Sequence, residues 1–180
     1  LPLLKDTLPK HVELIHDDAL RYTPPSTPYK VVANIPYNIT SPLINHFLQA
    51  DNQPLSMTIL IQKEVAEKIC TRNPDMTVLS LQVALFADAT IVKQVANTCF
   101  FPAPKVDSAV IHLIIHHQIP RAEAQKILKL AKQAFLGRRK KLSNTLKPHL
   151  EALKALNIQD QRPQHLTIDQ WLELVVETGI

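Results

Sequence analysis

The order of apolar and polar positions predicts alternating strands and helices over the first two thirds of the chain. Short apolar runs of the kind found in strands occur at residues 12–16, 31–33, 57–62, 90–95 and 109–116. The run at 31–33 has no polar alternation, which predicts a buried strand. Apolar residues at helical spacing follow near residues 40, 63 and 78, with Thr40 or Ser41 as the expected N-cap of the first helix. This alternation indicates an α/β fold.

From Pro120 onward the apolar residues recur at helical spacing throughout. Thr167 and Gln170 have the spacing of a capping box, which predicts the start of a last helix. We therefore place a domain boundary near Pro120. Residues 1–119 are predicted to form an α/β domain, and residues 120–180 a small all-helical domain.

Residues 31–38 combine a predicted strand with a stiff turn. Pro36 has no N–H and fixes its own φ, and it pushes Ile35 to extended geometry. Asn34, Ile35 and Tyr37 are therefore expected at the carboxyl end of a strand, where open α/β sheets bind ligands. The Asn34 side-chain carbonyl and the Ile35 backbone carbonyl can accept both hydrogens of an exocyclic amino group, while Tyr37 can stack on a planar base. The alternative is a strand-ending turn with a buried tyrosine.

Two further residues are candidates for ligand contact. Asp18 follows the predicted strand at 12–16, and a carboxylate there can accept hydrogen bonds from an adenine amino group or a sugar. A turn or helix-capping aspartate is the alternative. Phe100 precedes Pro102 and Pro104, which make an extended loop that can present the ring to a ligand. A phenylalanine buried under its own loop is the alternative there.

Composition narrows the function classes. The longest apolar run, 83–87, is far too short to span a membrane. Cys70 and Cys99 are the only cysteines and lack metal-ligand spacing, so we expect a cytoplasmic protein without a metal site. Gly137 and Gly179 are the only glycines, so this chain cannot build a glycine-rich phosphate or nucleoside loop.

Charge is distributed unevenly between the two predicted domains. Residues 1–119 carry nine Lys and Arg against ten Asp and Glu, whereas residues 120–180 carry eleven against six. A near-neutral first part and a basic second part indicate contact with a polyanion. The densest basic cluster, which suits phosphate groups, is Arg138, Arg139, Lys140 and Lys141. A basic, solvated surface without a partner is the alternative.

Four sequence blocks occur in an order that resembles a known family. The blocks are Asn34-Ile35-Pro36-Tyr37-Asn38-Ile39-Thr40, Gln62-Lys63-Glu64-Val65, Phe100-x-Pro-x-Pro-Lys-Val-Asp-Ser-Ala-Val and Ala134-Phe135-x-x-Arg138-Arg139-Lys140. Together they resemble the bacterial small-subunit ribosomal RNA adenine dimethyltransferases, the kasugamycin-sensitivity family. The resemblance spans nearly all 180 residues.

The resemblance implies both a fold and an activity. The fold is a Rossmann-like, S-adenosylmethionine-dependent methyltransferase sheet in the strand order 3-2-1-4-5-7-6, followed by a small all-helical domain. Family members transfer methyl groups from S-adenosylmethionine to N6 of two adjacent adenines in the 3′-terminal hairpin of 16S rRNA. A role in small-subunit biogenesis follows, and the helical domain is expected to recognise RNA by shape and phosphate.

The resemblance also assigns roles to residues. Asn34 and the Ile35 carbonyl are expected to hold the target amino group, while Pro36 keeps the turn rigid. Tyr37 and Phe100 are expected to sandwich the extruded base. In addition, the resemblance implies cofactor contacts for Asp18 and Asn34, and RNA contacts for Lys105, Arg138, Arg139, Lys140 and Lys141.

The chain departs from the family pattern in two places. The family has Tyr-Gly-x-Leu-Ser where this chain has the run 76–80, Met-Thr-Val-Leu-Ser, so local packing or RNA contact is expected to differ. The family's amino-terminal portion, with the glycine-rich loop, the acidic residue for the ribose and the first two strands, has no counterpart. We therefore expect a fragment in which strand 12–16 lies about 14 Å from strand 31–33 at normal strand spacing, and which does not bind S-adenosylmethionine alone.

Two other functions remain open at this point. The related macrolide-resistance methyltransferases, which act on large-subunit RNA, share the Asn-Ile-Pro-Tyr form, although the blocks that begin at Lys105 and Ala134 favour the small-subunit enzymes. A non-catalytic RNA-binding or ribosome-assembly module is the alternative from a different class. It predicts salt-dependent RNA binding that does not respond to Asn34→Ala.

Overall fold

The computed structural model describes residues 7–72, 74–137 and 139–180. Within these ranges the strands are β1 (Lys30–Asn34), β2 (Ser56–Gln62), β3 (Ala87–Val95) and β4 (Ser108–Ile115). The α-helices are α1 (Thr40–Leu48), α2 (Lys63–Cys70), α3 (Val78–Phe86), α4 (Arg121–Phe135), α5 (Leu142–Thr145), α6 (Leu150–Ala155) and α7 (Ile168–Thr178). Strands and helices are interspersed up to β4, with α2 and α3 consecutive and β3 and β4 consecutive, and helices follow, as the apolar pattern predicted.

The described strands form one sheet in the order β1-β2-β4-β3. β1 and β2 are parallel, whereas β4 is antiparallel to both of its neighbours. This order matches the last four positions of the strand order that the resemblance implied, and it confirms the Rossmann-like α/β class. The register places Asn34 beside Leu60 and Gln62 beside Ser108. The carboxyl ends of β1 and β2 and the start of β4 therefore lie at the same end of the sheet.

The strand predicted at residues 12–16 is wrong. The segment has no ladder partner, and Val12 and Ile15 are 43% and 51% exposed. A strand requires a neighbour for its backbone N–H and C=O groups. β1 is an edge strand that pairs with β2 alone, so no described strand stands between β1 and residues 12–16.

β1 is less buried than its apolar sequence predicted. Val32 is 83% exposed, whereas Val31 and Ala33 are half-buried. Successive side chains of a strand point to opposite faces of the sheet, and the buried residues of β2 alternate in the same way. Helices therefore cover one face of the sheet, and Val32 lies on the other face together with Ile114, which is 55% exposed.

Helix starts differ in how their free N–H groups are satisfied. α1 begins at Thr40 and has no side-chain cap, so neither Thr40 nor Ser41 is the N-cap that we expected. Thr77 caps α3, where its Oγ1 accepts from the Ser80 N–H at 3.1 Å and the Ser80 hydroxyl accepts from the Thr77 N–H at 2.7 Å. At α7 the predicted capping box of Thr167 and Gln170 is confirmed.

One hydrophobic cluster joins the residues of both predicted domains. α1 contributes its predicted apolar face, which is Leu43, Ile44, Phe47 and Leu48. α4 contacts α3 on one side and α5 and α7 on the other, and Trp171 of α7 is 1% exposed. α4 begins directly after Pro120, and the domain boundary there remains a prediction. None of the described helices is long and apolar enough to cross a membrane.

Candidate functional site

The candidate site begins where β1 ends. Asn34 is the last residue of the strand, and Pro36 then adopts φ −57° and ψ 134° before a short 3₁₀ turn over Tyr37–Ile39. The Ile39 N–H donates to the Pro36 carbonyl at 3.2 Å and closes this turn. The Asn34 side chain is exposed and has no hydrogen-bond partner among the described residues. Its amide oxygen is therefore free to accept a hydrogen bond from a ligand.

A cavity of about 250 Å³ brings the end of β1 together with the loop before β4. We call this cavity the aromatic cleft; its lining residues are Asn34, Ile35, Pro36, Tyr37, Phe100, Phe101, Pro102 and Pro104. All five residues predicted to be catalytic lie here, although Phe100 is distant from the others in sequence. The arrangement combines a free amide, a turn with a rigid carbonyl and several rings, which suits a planar base with an amino group. The roles of the five residues remain predictions.

The Tyr37 ring is held by a buried hydroxyl group. Tyr37 Oη and Ser108 Oγ are 2.7 Å apart, and Ser108 is fully buried at the start of β4. The loop before β4 is tied by Asn97, whose backbone N–H donates to Asp107 Oδ1 at 3.0 Å and whose side chain donates to the Pro104 carbonyl at 3.2 Å. These contacts hold Tyr37 and the phenylalanine-bearing loop in place.

Sequence reasoning missed Phe101 and Ser108. Phe101 is 103% exposed and lines the aromatic cleft beside Phe100, which is half-buried. The pair Phe100-Phe101 is visible in the sequence, but which of the two rings is exposed depends on how the loop folds. Ser108 belongs to a quoted sequence block, but its partner is 71 residues away and no local pattern connects the two.

Asp18 does not line the aromatic cleft. One carboxylate oxygen accepts from the Leu20 N–H at 3.0 Å, and the other lies 3.8 Å from Nε of Arg21. The Asp18 backbone carbonyl also accepts from the N–H groups of Arg21 and Tyr22. This is the turn-capping geometry that we gave as the alternative, and the cofactor contact of Asp18 remains a prediction.

The predicted RNA-binding residues lie in two places. Lys105 lines a second cavity, of about 440 Å³, which we call the lysine cleft; its lining residues are Gln62, Lys63, Glu64, Glu67, Asn97, Lys105, Val106 and Asp107. Arg139, Lys140 and Lys141 are exposed after α4, and Lys141 Nζ is 2.8 Å from Asp160 Oδ1. Arg138 is outside the described residues. Their contacts to RNA remain predictions.

Gly137 explains how the chain turns after α4. A Cβ atom at this position would lie 2.8 Å from Cγ2 of Thr145, which is closer than side chains pack. The missing side chain therefore lets the basic segment approach α5. Residues 139–141 are in consequence presented on a short connection between α4 and α5.

Comparison with solved structures defines the class of fold. The chain superposes on a dimethyladenosine transferase from Plasmodium falciparum with a TM-score of 0.79 and 24% identity, covering 89% of this chain and 70% of that chain. It superposes on the 23S rRNA methyltransferase ErmE with a TM-score of 0.69 and 24% identity, covering 93% of this chain and 72% of that one. The fold is therefore the Rossmann-like fold of ribosomal RNA methyltransferases.

Sequence comparison defines the family. The family model for ribosomal RNA adenine dimethylase matches residues 1–178, and the chain belongs to this family. A ribosomal RNA small subunit methyltransferase A from Dehalococcoides mccartyi is 33% identical in an alignment of 180 positions that covers 91% of this chain. The protein of the same description from Parasynechococcus marenigrum is 41% identical in an alignment of 162 positions that covers 81% of this chain. The chain spans 62% and 54% of the length of these two relatives.

The described residues do not by themselves fit the methyl donor. The family consists of S-adenosylmethionine-dependent methyltransferases. Asp18, the predicted partner of the donor's adenine, is instead engaged in a turn, and no glycine precedes Gly137. Asn34 at the strand end is the one predicted cofactor residue with a free polar group.

Proposed function

We propose that this chain provides the target-base and RNA-binding part of a ribosomal RNA adenine N6-dimethyltransferase. Its substrate is a pair of adjacent adenines in the 3′-terminal hairpin of 16S rRNA, its methyl donor is S-adenosylmethionine, and it acts in small-subunit biogenesis in the cytoplasm. The observation that carries this proposal is the aromatic cleft, where a free asparagine amide meets Tyr37 and Phe100. Family membership supports it.

The cleft suits an adenine amino group in particular. Adenine N6 is a poor nucleophile because its lone pair is delocalised into the ring. Asn34 Oδ1 and the Ile35 carbonyl oxygen accept the two N6 hydrogens, which localises the lone pair on nitrogen and directs it away from both acceptors. Alignment of this kind contributes a large part of the rate in a displacement reaction. The donor supplies the methyl group that N6 receives.

The two rings hold the base outside its helix. An adenine in a hairpin is stacked, so it must be extruded before N6 can reach the acceptors. Stacking on Tyr37 and Phe100 offsets that cost, at about 1–3 kcal/mol for each base–ring contact. The hydrogen bond between the Tyr37 and Ser108 hydroxyl groups keeps the Tyr37 ring oriented while the base enters.

The exposed cations supply affinity for RNA. Lys105, Arg139 and Lys140 form no ion pair with any described residue and are available to phosphate groups. Lys141 is paired with Asp160 and contributes less. Contacts of this type recognise an RNA hairpin by shape rather than by sequence. They also make the affinity strongly dependent on salt.

Two asparagine substitutions in a chimeric protein test the proposal. The amino-terminal portion of the Dehalococcoides mccartyi relative is joined to this chain, and methyl transfer to small ribosomal subunits is measured from labelled S-adenosylmethionine. We expect Asn34→Ala to lower the rate by about 100-fold, because one acceptor is lost at the reacting amine, with RNA affinity unchanged. Asn38→Ala is the matched control, since Asn38 is also exposed but does not line the cleft.

Three outcomes contradict the proposal in different ways. Equal losses from Asn34→Ala and Asn38→Ala place the acceptor elsewhere. Methylation of large subunits instead of small ones favours the macrolide-resistance type. Salt-dependent RNA binding without methyl transfer by any variant supports a non-catalytic RNA-binding module.

A further inference from the structure

The lysine cleft lies directly beside the aromatic cleft. Pro104 lines the aromatic cleft and Lys105 lines the lysine cleft, and consecutive Cα atoms are about 3.8 Å apart. Its volume of about 440 Å³ is larger than that of the aromatic cleft and is in the range of small-ligand sites. The two cavities are therefore neighbours at the same end of the sheet.

The walls of the lysine cleft are held by backbone contacts. The Lys63 N–H donates to the Asp107 carbonyl at 3.0 Å and joins the start of α2 to the loop before β4. Gln62 is paired with Ser108 in the ladder between β2 and β4. The Asn97 N–H donates to the Asp107 carboxylate from the opposite side. The cleft is therefore formed before any ligand enters.

The charges in the lysine cleft are only partly satisfied. Lys63 and Lys105 form no ion pair with any described residue. Among the carboxylates, Glu64 accepts from Lys68 Nζ at 2.6 Å, and this hydrogen bond lowers the pKa of the Glu64 carboxyl. Asp107 accepts from Asn97. Two ammonium groups and the free carboxylate of Glu67 therefore remain for a ligand.

We propose that the lysine cleft binds the nucleotide adjacent to the target adenosine in the same RNA strand. Lys63 and Lys105 contact the phosphate that joins the two nucleotides, and Glu67 accepts from the exocyclic amine of the neighbouring base. A base extruded into the aromatic cleft must bring this phosphate with it, because the two nucleotides are covalently linked. This inference rests on the proposed function, in which the neighbouring nucleotide is itself an adenosine and carries the required N6 amine.

Binding of labelled hairpin RNA to the chain tests the phosphate contacts. In fluorescence anisotropy we expect Lys63→Ala and Lys105→Ala each to weaken binding about tenfold and to reduce the salt slope by about 1, as the loss of one phosphate contact predicts. Lys63→Arg should restore most of the affinity. Lys93→Ala is the matched control, because Lys93 is an exposed lysine of β3 that lines neither cleft, and it should change affinity less than about twofold.

A modified RNA tests the base contact. The neighbouring adenosine is replaced by purine riboside, which lacks the N6 amine, and binding of the unaltered chain should weaken to the level that Glu67→Ala produces with natural RNA. Combining the two changes should add no further loss, because both remove the same hydrogen bond. Additive losses overturn the base contact, and equal losses from Lys63→Ala and Lys93→Ala overturn the phosphate contact. Either result leaves intact a methyl transfer that depends on Asn34, whereas a chain that binds no hairpin RNA overturns both proposals.

Discussion

Ser108 contacts Tyr37 through a hydrogen bond that no local pattern in the sequence predicts. The two hydroxyl oxygens are 2.7 Å apart, and Ser108 is fully buried while Tyr37 is half-buried. A hydroxyl group in this setting is costly to leave without a partner. The pair therefore couples the stability of the fold to the orientation of one ring in the aromatic cleft.

We predict that Ser108→Ala and Tyr37→Phe each lower the free energy of unfolding by about 1–2 kcal/mol, because each leaves a partly buried hydroxyl unpaired. The double variant should lose less than the sum of the two single losses. Urea unfolding followed by circular dichroism measures these values. Ser143→Ala is the control, since the Ser143 hydroxyl makes no hydrogen bond with any described residue. Strictly additive losses would show that the hydrogen bond is absent in solution.

At the level of elements, local sequence patterns predicted helices and strands correctly where the stabilising contacts are made between residues close in sequence. α2 and α3 begin at residues 63 and 78, where helical spacing was predicted to start, because that spacing is set by the next turn of the same helix. The strand predicted at residues 12–16 was wrong for the opposite reason, since a strand is formed only by hydrogen bonds to a second strand. The predicted side-chain cap of α1 was also wrong. The first turn of α1 follows directly from the 3₁₀ turn over Tyr37–Ile39, which the sequence pattern did not predict.

The run 76–80, where the sequence departs from the family pattern, has a structural explanation. Met76 is 5% exposed and fills the core, and Thr77 caps α3 in a capping box with Ser80. Threonine thus stands where the family has glycine, a residue that also suits an N-cap position. In this chain a helix therefore begins directly after Thr77 despite the departure from the family pattern.

Replacement of Thr77 tests this explanation. We predict that Thr77→Ala lowers the free energy of unfolding by about 1 kcal/mol, whereas Thr77→Gly, the family residue, lowers it by roughly a few tenths of a kcal/mol. Thermal and urea unfolding provide the measurement. A larger loss for glycine than for alanine would mean that the side chain acts through packing rather than through the cap.

At the scale of the whole molecule, the described helices cover one face of the sheet, and β1 pairs with β2 and with no other described strand. Val32 and Ile114 lie on the other face at 83% and 55% exposure. The aromatic cleft and the lysine cleft lie at the end of the sheet where β1 and β2 finish and β4 begins. The basic residues 139–141 lie between α4 and α5. Both clefts and the basic residues are exposed on the part of the chain that the structure describes, and their contacts with RNA and with the methyl donor remain predictions.

We predict that the isolated chain does not bind S-adenosylmethionine. The reason is that a glycine-rich donor loop cannot be built from a sequence whose glycines are Gly137 and Gly179. Isothermal titration calorimetry measures the binding, with hairpin RNA as the positive control for a folded chain. A micromolar binding isotherm for S-adenosylmethionine would contradict the prediction.

The sequence by itself determined the α/β class, most helices and strands, and the family, because periodicity, turn chemistry and ordered motifs are properties of neighbouring residues. The resemblance also predicted that Asn34, Tyr37 and Phe100 act together; the three line one cavity, and their roles remain predictions. Only the tertiary structure decided that Phe101 joins them, that Ser108 holds Tyr37 across 71 residues, and that residues 12–16 form no strand. These properties depend on which distant segments meet, and such contacts leave no trace in local spacing.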